Sequence, residues 1–120
     1  MVAFSLFFQT AFASAVVKVV EPHGILDGTT AGQFKQEITN LVQSNVDIVL
    51  IDFTHVTFMD SSGLEALVLG LKTVRTAGGQ LFICRINEQV RMLFELTSMD
   101  RVLEVFESRE AFENSIAALQ

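Results

Sequence analysis

The stretch IVLIDFTHVTFMDSSGLEALVLGL, residues 48–71, contains two apolar runs followed by a segment of helical periodicity. The first run, Ile48 to Phe53, is continuous, as expected for a strand that is covered on both faces. The second run, Val56 to Met59, predicts another strand. From Leu64 to Val74 apolar residues recur every three or four positions, which is typical of one face of a helix. The stretch therefore predicts two strands and a helix, with the polar sequence DSSG at the last junction.

Three further apolar runs predict strands at residues 16–20, 81–84 and 103–106. Segments with helical periodicity lie between these runs, and strands that alternate with helices indicate an α/β fold whose later strands are parallel. The chain has 120 residues and half of them are apolar, which is enough for one domain with its own core. We see no linker after residue 15, so the sequence predicts a single domain at residues 16–120.

Polar residues at the predicted helix starts have the form of N-caps. Thr30, with Gln33 three residues later, resembles a capping box. Asn87 and Ser108 are placed to cap the last two helices. Gly78 suits the left-handed conformation in which many helices end. The final helix is expected to turn three apolar side chains toward the core: Phe112, Ile116 and Leu119.

The first fifteen residues, MVAFSLFFQTAFASA, are apolar and are treated separately from the domain. They lack the basic start of a secretory signal, and they are shorter than the roughly 20 apolar residues that span a bilayer. We expect residues 1–15 to be either a first strand or an apolar N-terminal extension. No stable membrane association is expected.

Charge and cysteine content exclude several function classes. The net charge is −6 and the eight basic residues are dispersed, so direct nucleic-acid binding is not expected. The single cysteine, Cys84, cannot form an intrachain disulfide, which favours a cytoplasmic protein. With His23 and His55 it does not have the ligand spacing of a zinc site, so no metal is expected. Cys84 ends an apolar run and is interpreted as a small buried hydrophobic residue.

The sequence does not match the enzyme motifs that we considered. The serines of DSSG are not preceded by the glycine that a hydrolase nucleophile elbow requires, and the chain has no phosphate-binding P-loop. Asp52 ends a strand, as in phospho-aspartate receiver domains. However, only Glu21 follows the first strand, where receivers have an acidic pair, and Glu107 stands where they have a lysine. None of these enzyme or receiver classes is therefore favoured, and no cofactor is expected.

Three polar clusters follow predicted strands, where sites of open α/β sheets collect: Asp27, Asp52 and residues 60–63. The last cluster has two interpretations. Its residues are favoured at helix N-caps, which is a purely structural role. Alternatively, the helix N-terminus, with its unpaired N–H groups and positive partial charge, could hold a phosphorylated serine without unfolding. Phosphate would add about −1.5 to −2 charge beside Asp60.

Residues Phe58 to Leu64 resemble the phosphoacceptor motif of the STAS domain anti-sigma factor antagonists of bacteria. Gly24 to Asp27 is similar to the family's Gly, Leu, Asp signature. Ala77 to Gly79 stands where the family ends its motif helix, and Val90 to Thr97 resembles the next helix. The resemblance covers residues 16–120. It implies the STAS fold, a mixed central β-sheet of four to five strands flanked by about four helices.

The resemblance also implies a function, that of a binding protein rather than an enzyme. The unphosphorylated antagonist binds an anti-sigma factor, which is a serine kinase, and so frees the sigma factor. The kinase then phosphorylates the serine that matches Ser61, and a PP2C-type phosphatase reverses the reaction. Ser62 would cap the helix, Asp27 would lie on the docking surface, and Glu65, where small residues are frequent, could restrict the choice of kinase. The implied partner-binding residues are Asp27, Asp60, Ser61, Ser62, Gly63 and Glu65.

A second function fits the same resemblance. STAS domains also serve as constitutive interaction modules in signalling scaffolds and membrane-lipid transport complexes. In that case the domain would bind its partner without a phosphorylation switch.

Overall fold

The apolar run Ile48–Asp52 forms a strand that is buried at every position. It lies in the middle of a five-stranded sheet, where strands pair with it on both sides and helices pack on both faces. The computed structural model describes the backbone of residues 5–9 and the whole of residues 15–118. In chain order the elements are β1 (Ser5–Gln9), β2 (Val16–Val20), β3 (Gly24–Leu26), α1 (Ala31–Val42), β4 (Ile48–Asp52), β5 (Val56–Met59), α2 (Ser61–Thr76), β6 (Gln80–Cys84), α3 (Glu88–Leu96), a 3₁₀ turn (Met99–Arg101), β7 (Val105–Phe106) and α4 (Arg109–Ala118).

The main sheet has the order β1-β2-β4-β6-β7. Strands β2, β4, β6 and β7 are parallel, and β1 pairs antiparallel with β2 at the edge. The prediction of an α/β fold with parallel later strands is confirmed, and so is the mixed sheet implied by the family resemblance.

Of the N-terminal segment, residues 5–9 form a strand, the first of the two alternatives for residues 1–15. The rest of that expectation, at residues 1–4 and 10–14, lies outside the described residues, as does the inward position predicted for Leu119. Among the helices that the structure describes, none combines the length and the apolar character needed to cross a bilayer.

The structure differs from the strand predictions at two places. Strand β3 was not predicted, because its three residues are too few to show a periodic pattern. It pairs with β5 in a separate two-stranded sheet, so β5 does not belong to the main sheet. The predicted strand at residues 103–106 shortens to β7, because Leu103 instead packs into the core after the 3₁₀ turn.

The two faces of the main sheet carry separate cores. Helices α1, α2 and α3 contribute to the larger core, which includes Phe34, Leu67 and Phe94. Helix α4 covers the opposite face through Phe112 and Ile116, as predicted.

Cys84 belongs to the smaller core and is fully buried, as predicted. Burial, together with the neighbouring Asp52 carboxylate, raises the pKa of the Cys84 thiol to about 12. The thiol is therefore protonated at neutral pH and is a poor nucleophile.

Most predicted helix ends are present. The Asn87 side chain accepts a hydrogen bond from Val90 N–H, and Ser108 Oγ accepts one from Ala111 N–H. Helix α2 ends with Gly78 at a φ of +86°, a conformation that favours glycine. The capping box predicted at Thr30 does not form. Its hydroxyl instead donates to the Ile25 carbonyl and accepts from Asp27 N–H. These two hydrogen bonds fix the loop before α1.

Candidate functional site

The small sheet of β3 and β5 brings two of the three predicted polar clusters together. Leu26, the last residue of β3, is in register with Met59, the last residue of β5. The Asp27 loop and the DSSG motif therefore leave the same end of this sheet, and Asp60 N–H donates to the Leu26 carbonyl at 3.1 Å. The backbone contact fixes the two clusters side by side.

Gly63 packs closely against the end of β3. A Cβ added at Gly63 would lie 2.3 Å from the Leu26 carbonyl oxygen, which is closer than atoms can pack. On the neighbouring side, a Cβ at Gly28 would lie 3.7 Å from Ser62 Oγ. A glycine at position 63 therefore lets the start of α2 press against the end of β3.

The helix cap is Asp60, and the prediction that Ser62 is the cap was wrong. Asp60 is extended, and its Oδ1 accepts from Ser62 N–H at 2.9 Å and from Gly63 N–H at 3.1 Å. A carboxylate is a good cap because it satisfies two unpaired N–H groups and carries negative charge at the positive end of the helix. The sequence did not decide among the adjacent candidates Asp60, Ser61 and Ser62, since aspartate and serine are both favoured caps.

This cap changes the predicted phosphate site. The first N–H groups of the helix were expected to be free for a phosphate, but those of Ser62 and Gly63 already donate to the Asp60 carboxylate. A phosphate on the preceding residue, Ser61, would therefore lie beside a carboxylate rather than replace one.

The side chains of the motif differ in exposure. Ser61, the first residue of α2, is exposed, as is Glu65 one turn later, whereas Ser62 is half-buried and Gly63 is buried. Of the two serines, Ser61 is thus the one that another protein can reach more easily.

Asp27 is partly exposed and is held by its own loop. Its Oδ1 accepts from the Thr29 hydroxyl at 2.6 Å and from Thr29 N–H at 2.9 Å. These two hydrogen bonds, the hydroxyl first, lower the pKa of the Asp27 carboxyl below its usual value. Asp27 is therefore ionised at neutral pH. Together with Asp60 it adds a second negative charge to this surface, on the side where the β3–α1 loop adjoins the motif.

A shallow groove of about 190 Å³ runs between the first turns of α1 and α2. Ser62 and Glu65 line one wall, and Gly32 and Lys35 line the other. Leu69, which is partly exposed, lies at its far end. The groove extends the motif surface along α2 with both charged and apolar groups.

Two apolar side chains beside the motif were not predicted as site residues. Ile25 and Phe58 are paired across β3 and β5 and are 48% and 44% exposed. Phe58 lies two residues before Asp60 in extended backbone, so both point to the same side. The sequence signal was present, since both residues belong to the quoted motifs, but which face of the small sheet is open depends on the tertiary structure.

Gln89 was also missed, and it holds β5 in place. Its side-chain amide accepts from Met59 N–H at 2.9 Å and donates to the Met59 carbonyl at 2.8 Å, as a neighbouring strand would. Asn87 adds a bond to the Val56 carbonyl at 3.2 Å. The start of α3 therefore positions the strand that leads into the motif.

The third predicted cluster has a structural role. Asp52 is buried, and it accepts hydrogen bonds from Thr54 and from Arg109 Nε at 2.8 Å. Arg109 also contacts Glu21, with 2.7 Å between Nη2 and Oε1. The carboxylate thus ties α4 to the carboxyl end of the central strand β4. Burial raises the pKa of Asp52, but the bonds from Thr54 and Arg109 outweigh burial, so the pKa lies below its usual value.

We predict that Asp52→Asn lowers the free energy of unfolding at pH 7 by about 1–2 kcal/mol, because it removes the charge that faces Arg109. Since the pKa of Asp52 is lowered on folding, this contribution is present above the ordinary carboxyl value of 3.8 and is lost as the pH falls through the folded value. Urea unfolding should therefore show a large difference between variant and wild type at pH 7, and this difference should shrink progressively as the pH is lowered below 3.8. Asp100→Asn, at an exposed position, is the control, and a difference that does not depend on pH would contradict the prediction.

The sequence and the fold of this chain are similar to those of known proteins. A family model described as STAS domain matches residues 10–112. An anti-sigma-B factor antagonist of Staphylococcus aureus is 28% identical over 91 residues, which cover 76% of this chain and 84% of the relative. The crystal structure of an anti-sigma factor antagonist from Mycobacterium paratuberculosis aligns with a TM-score of 0.78 at 21% identity, covering 95% of this chain and 93% of that one. A sulfate transporter family protein from Wolinella succinogenes aligns with a TM-score of 0.75 at 13% identity, covering 94% and 93%.

Proposed function

Because the chain belongs to the STAS domain family, we propose that it is an anti-sigma factor antagonist that phosphorylation of Ser61 switches off. It acts by binding and is not an enzyme. The names of its relatives support the antagonist function. The observation that carries the switch is the position of Ser61, exposed at the first turn of α2 and directly after the Asp60 cap.

In the unphosphorylated state, the motif surface can be buried in an interface at low cost. Ile25 and Phe58 offer apolar area next to the motif, and aromatic residues are enriched in the cores of protein interfaces. The Ser61 hydroxyl is neutral and small. Asp60 is already hydrogen-bonded to two backbone N–H groups, so part of its charge is compensated before any partner arrives.

Phosphorylation changes this surface without any need to change the fold. The phosphate adds about −1.5 to −2 charge next to Asp60 and close to Asp27. The N–H groups of Ser62 and Gly63, which would otherwise be available to compensate it, already donate to the Asp60 cap. Burying this dianion at an interface therefore costs both desolvation and like-charge repulsion, which together amount to several kcal/mol. The complex would dissociate while the antagonist stays folded.

The proposed partners follow from this cycle. The unphosphorylated protein binds an anti-sigma factor that is also a serine kinase, and this binding frees the sigma factor for transcription. A PP2C-type phosphatase removes the phosphate and restores binding. Both steps take place in the cytoplasm, where transcription is regulated.

The test is to incubate the protein with ATP and the anti-sigma factor kinases of its own organism and to map phosphate by mass spectrometry. We expect one phosphate per chain, on Ser61. Ser61→Ala should block it, and Ser62→Ala, at the neighbouring half-buried serine, should not. Phosphate on Ser62 alone, or on no serine with any of these kinases, would contradict the assignment.

A constitutive interaction module in a signalling scaffold or lipid-transport complex is the second candidate. The observation that favours it is the fold of the transporter family protein, which aligns about as well as that of the antagonist. A constitutive module would keep its partner whatever the charge at position 61.

A further inference from the structure

A group of potential metal ligands lies at the opposite end of the small sheet from the motif. Glu21 and His23 belong to the loop between β2 and β3, and His55 lies just before β5. Their ligand atoms all lie within 4.8 Å of one another. The imidazole rings of His23 and His55 are 4.6 Å apart between centroids. Ligand spacing along the chain does not reveal this group, because it is assembled from two separate loops.

The backbone and the neighbouring side chains hold these three residues in place. Gly24 N–H donates to the His55 carbonyl at 2.9 Å, which joins the two loops. Arg109 contacts one oxygen of Glu21 at 2.7 Å and is itself held by Asp52. A carboxylate has two oxygens, so the second can face a cation while the first accepts from Arg109. Such an outer partner orients a metal-binding carboxylate.

We propose that Glu21, His23 and His55 form a surface site for a divalent transition-metal cation of the zinc type. Two imidazoles and one carboxylate are a ligand set that suits zinc, nickel or copper and is a poor one for magnesium or calcium. Ligand atoms around zinc, at about 2.0–2.2 Å from the metal, lie about 3.4 Å apart, which small side-chain rotations from the present positions reach. Both histidines are exposed, so the ion has access from solvent.

The cation would link the β2–β3 loop to the β4–β5 loop. Because these loops are far apart in an unfolded chain, the assembled site exists only in the folded protein, and binding stabilises it. The guanidinium of Arg109 repels a cation, so we expect micromolar rather than nanomolar affinity. This proposal does not depend on the function of Ser61.

The test is a titration of the tag-free protein with zinc. Binding is monitored through the imidazole signals of the histidines in ¹H–¹⁵N NMR spectra. The chain has two histidines, so each signal can be assigned with one variant. We expect both to shift together and to saturate at one zinc per chain. At saturating zinc, we expect thermal unfolding to shift upward by about 4 °C or more. Magnesium at the same concentration should produce neither effect.

Variants distinguish a site formed by all three residues from zinc binding by a single histidine. His55→Gln keeps the backbone hydrogen bond to Gly24, so this variant should fold. The imidazole signal of the remaining His23 should no longer saturate at micromolar zinc. Glu21→Gln should weaken zinc binding about tenfold, whereas Glu95→Gln, an exposed carboxylate elsewhere, should leave it unchanged. Since Glu21→Gln also removes the negative charge that faces Arg109, its folding is checked without zinc. The proposal would be overturned if only one histidine responds, if His55→Gln binds zinc as tightly as the wild type, or if millimolar zinc produces no response.

Discussion

Ser61→Asp is expected to weaken binding to the anti-sigma factor by about 100-fold, a loss of about 2.8 kcal/mol. The added carboxylate would lie beside Asp60, and the N–H groups of Ser62 and Gly63 are already bonded to that residue. Burial in the interface would then leave a charge without a partner, which costs several kcal/mol. Calorimetric titration with the anti-sigma factor kinase that binds the wild-type protein measures the loss.

Ser61→Asn is the matched control, because asparagine has the size of aspartate without its charge. We expect it to weaken binding less than tenfold, and we expect circular dichroism to show both variants folded. Equal losses for Asn and Asp would mean that size rather than charge opposes binding. Unchanged binding by Ser61→Asp would reject the switch and favour the constitutive module.

Gly63→Ala is expected to lower the free energy of unfolding by about 3 kcal/mol, near the upper end of the cost of overpacking. The new Cβ would meet the Leu26 carbonyl oxygen at 2.3 Å, and that oxygen is part of the backbone and cannot rotate away. Leu26 is fully buried, so β3 cannot move outward without loss of core contacts. Urea unfolding monitored by circular dichroism measures the change.

Gly32→Ala provides the comparison within the same molecule. Gly32 lies in the first turn of α1, just as Gly63 lies in the first turn of α2, but a Cβ there meets nothing within 4 Å. We expect this variant to gain about 0.5–1 kcal/mol, because alanine loses less backbone entropy in a helix. If both variants behave alike, the close approach of α2 to Leu26 is wrong.

The fold class and most helix ends could be predicted because they depend on local patterns. The continuous run at residues 48–52 predicts a strand covered on both faces, and the structure buries all of it. Asn87 and Ser108 cap their helices as expected, because a cap needs only its own first turn. Strand β3 was missed because its pairing with β5 joins residues about thirty positions apart, which no local pattern records.

The candidate functional site, too, has features that could be predicted from the sequence and features that could not. The sequence by itself determined that a carboxylate, two serines and a glycine meet at the start of a helix, and the resemblance pointed to Ser61. Only the tertiary structure decided that Asp60 is the cap and that Gly63 contacts Leu26. It also decided which small-sheet residues stay exposed and that Glu21, His23 and His55 converge. The physical reason is that propensity and periodicity act over a few residues, whereas caps among equal candidates, exposure and ligand clusters depend on contacts between distant segments.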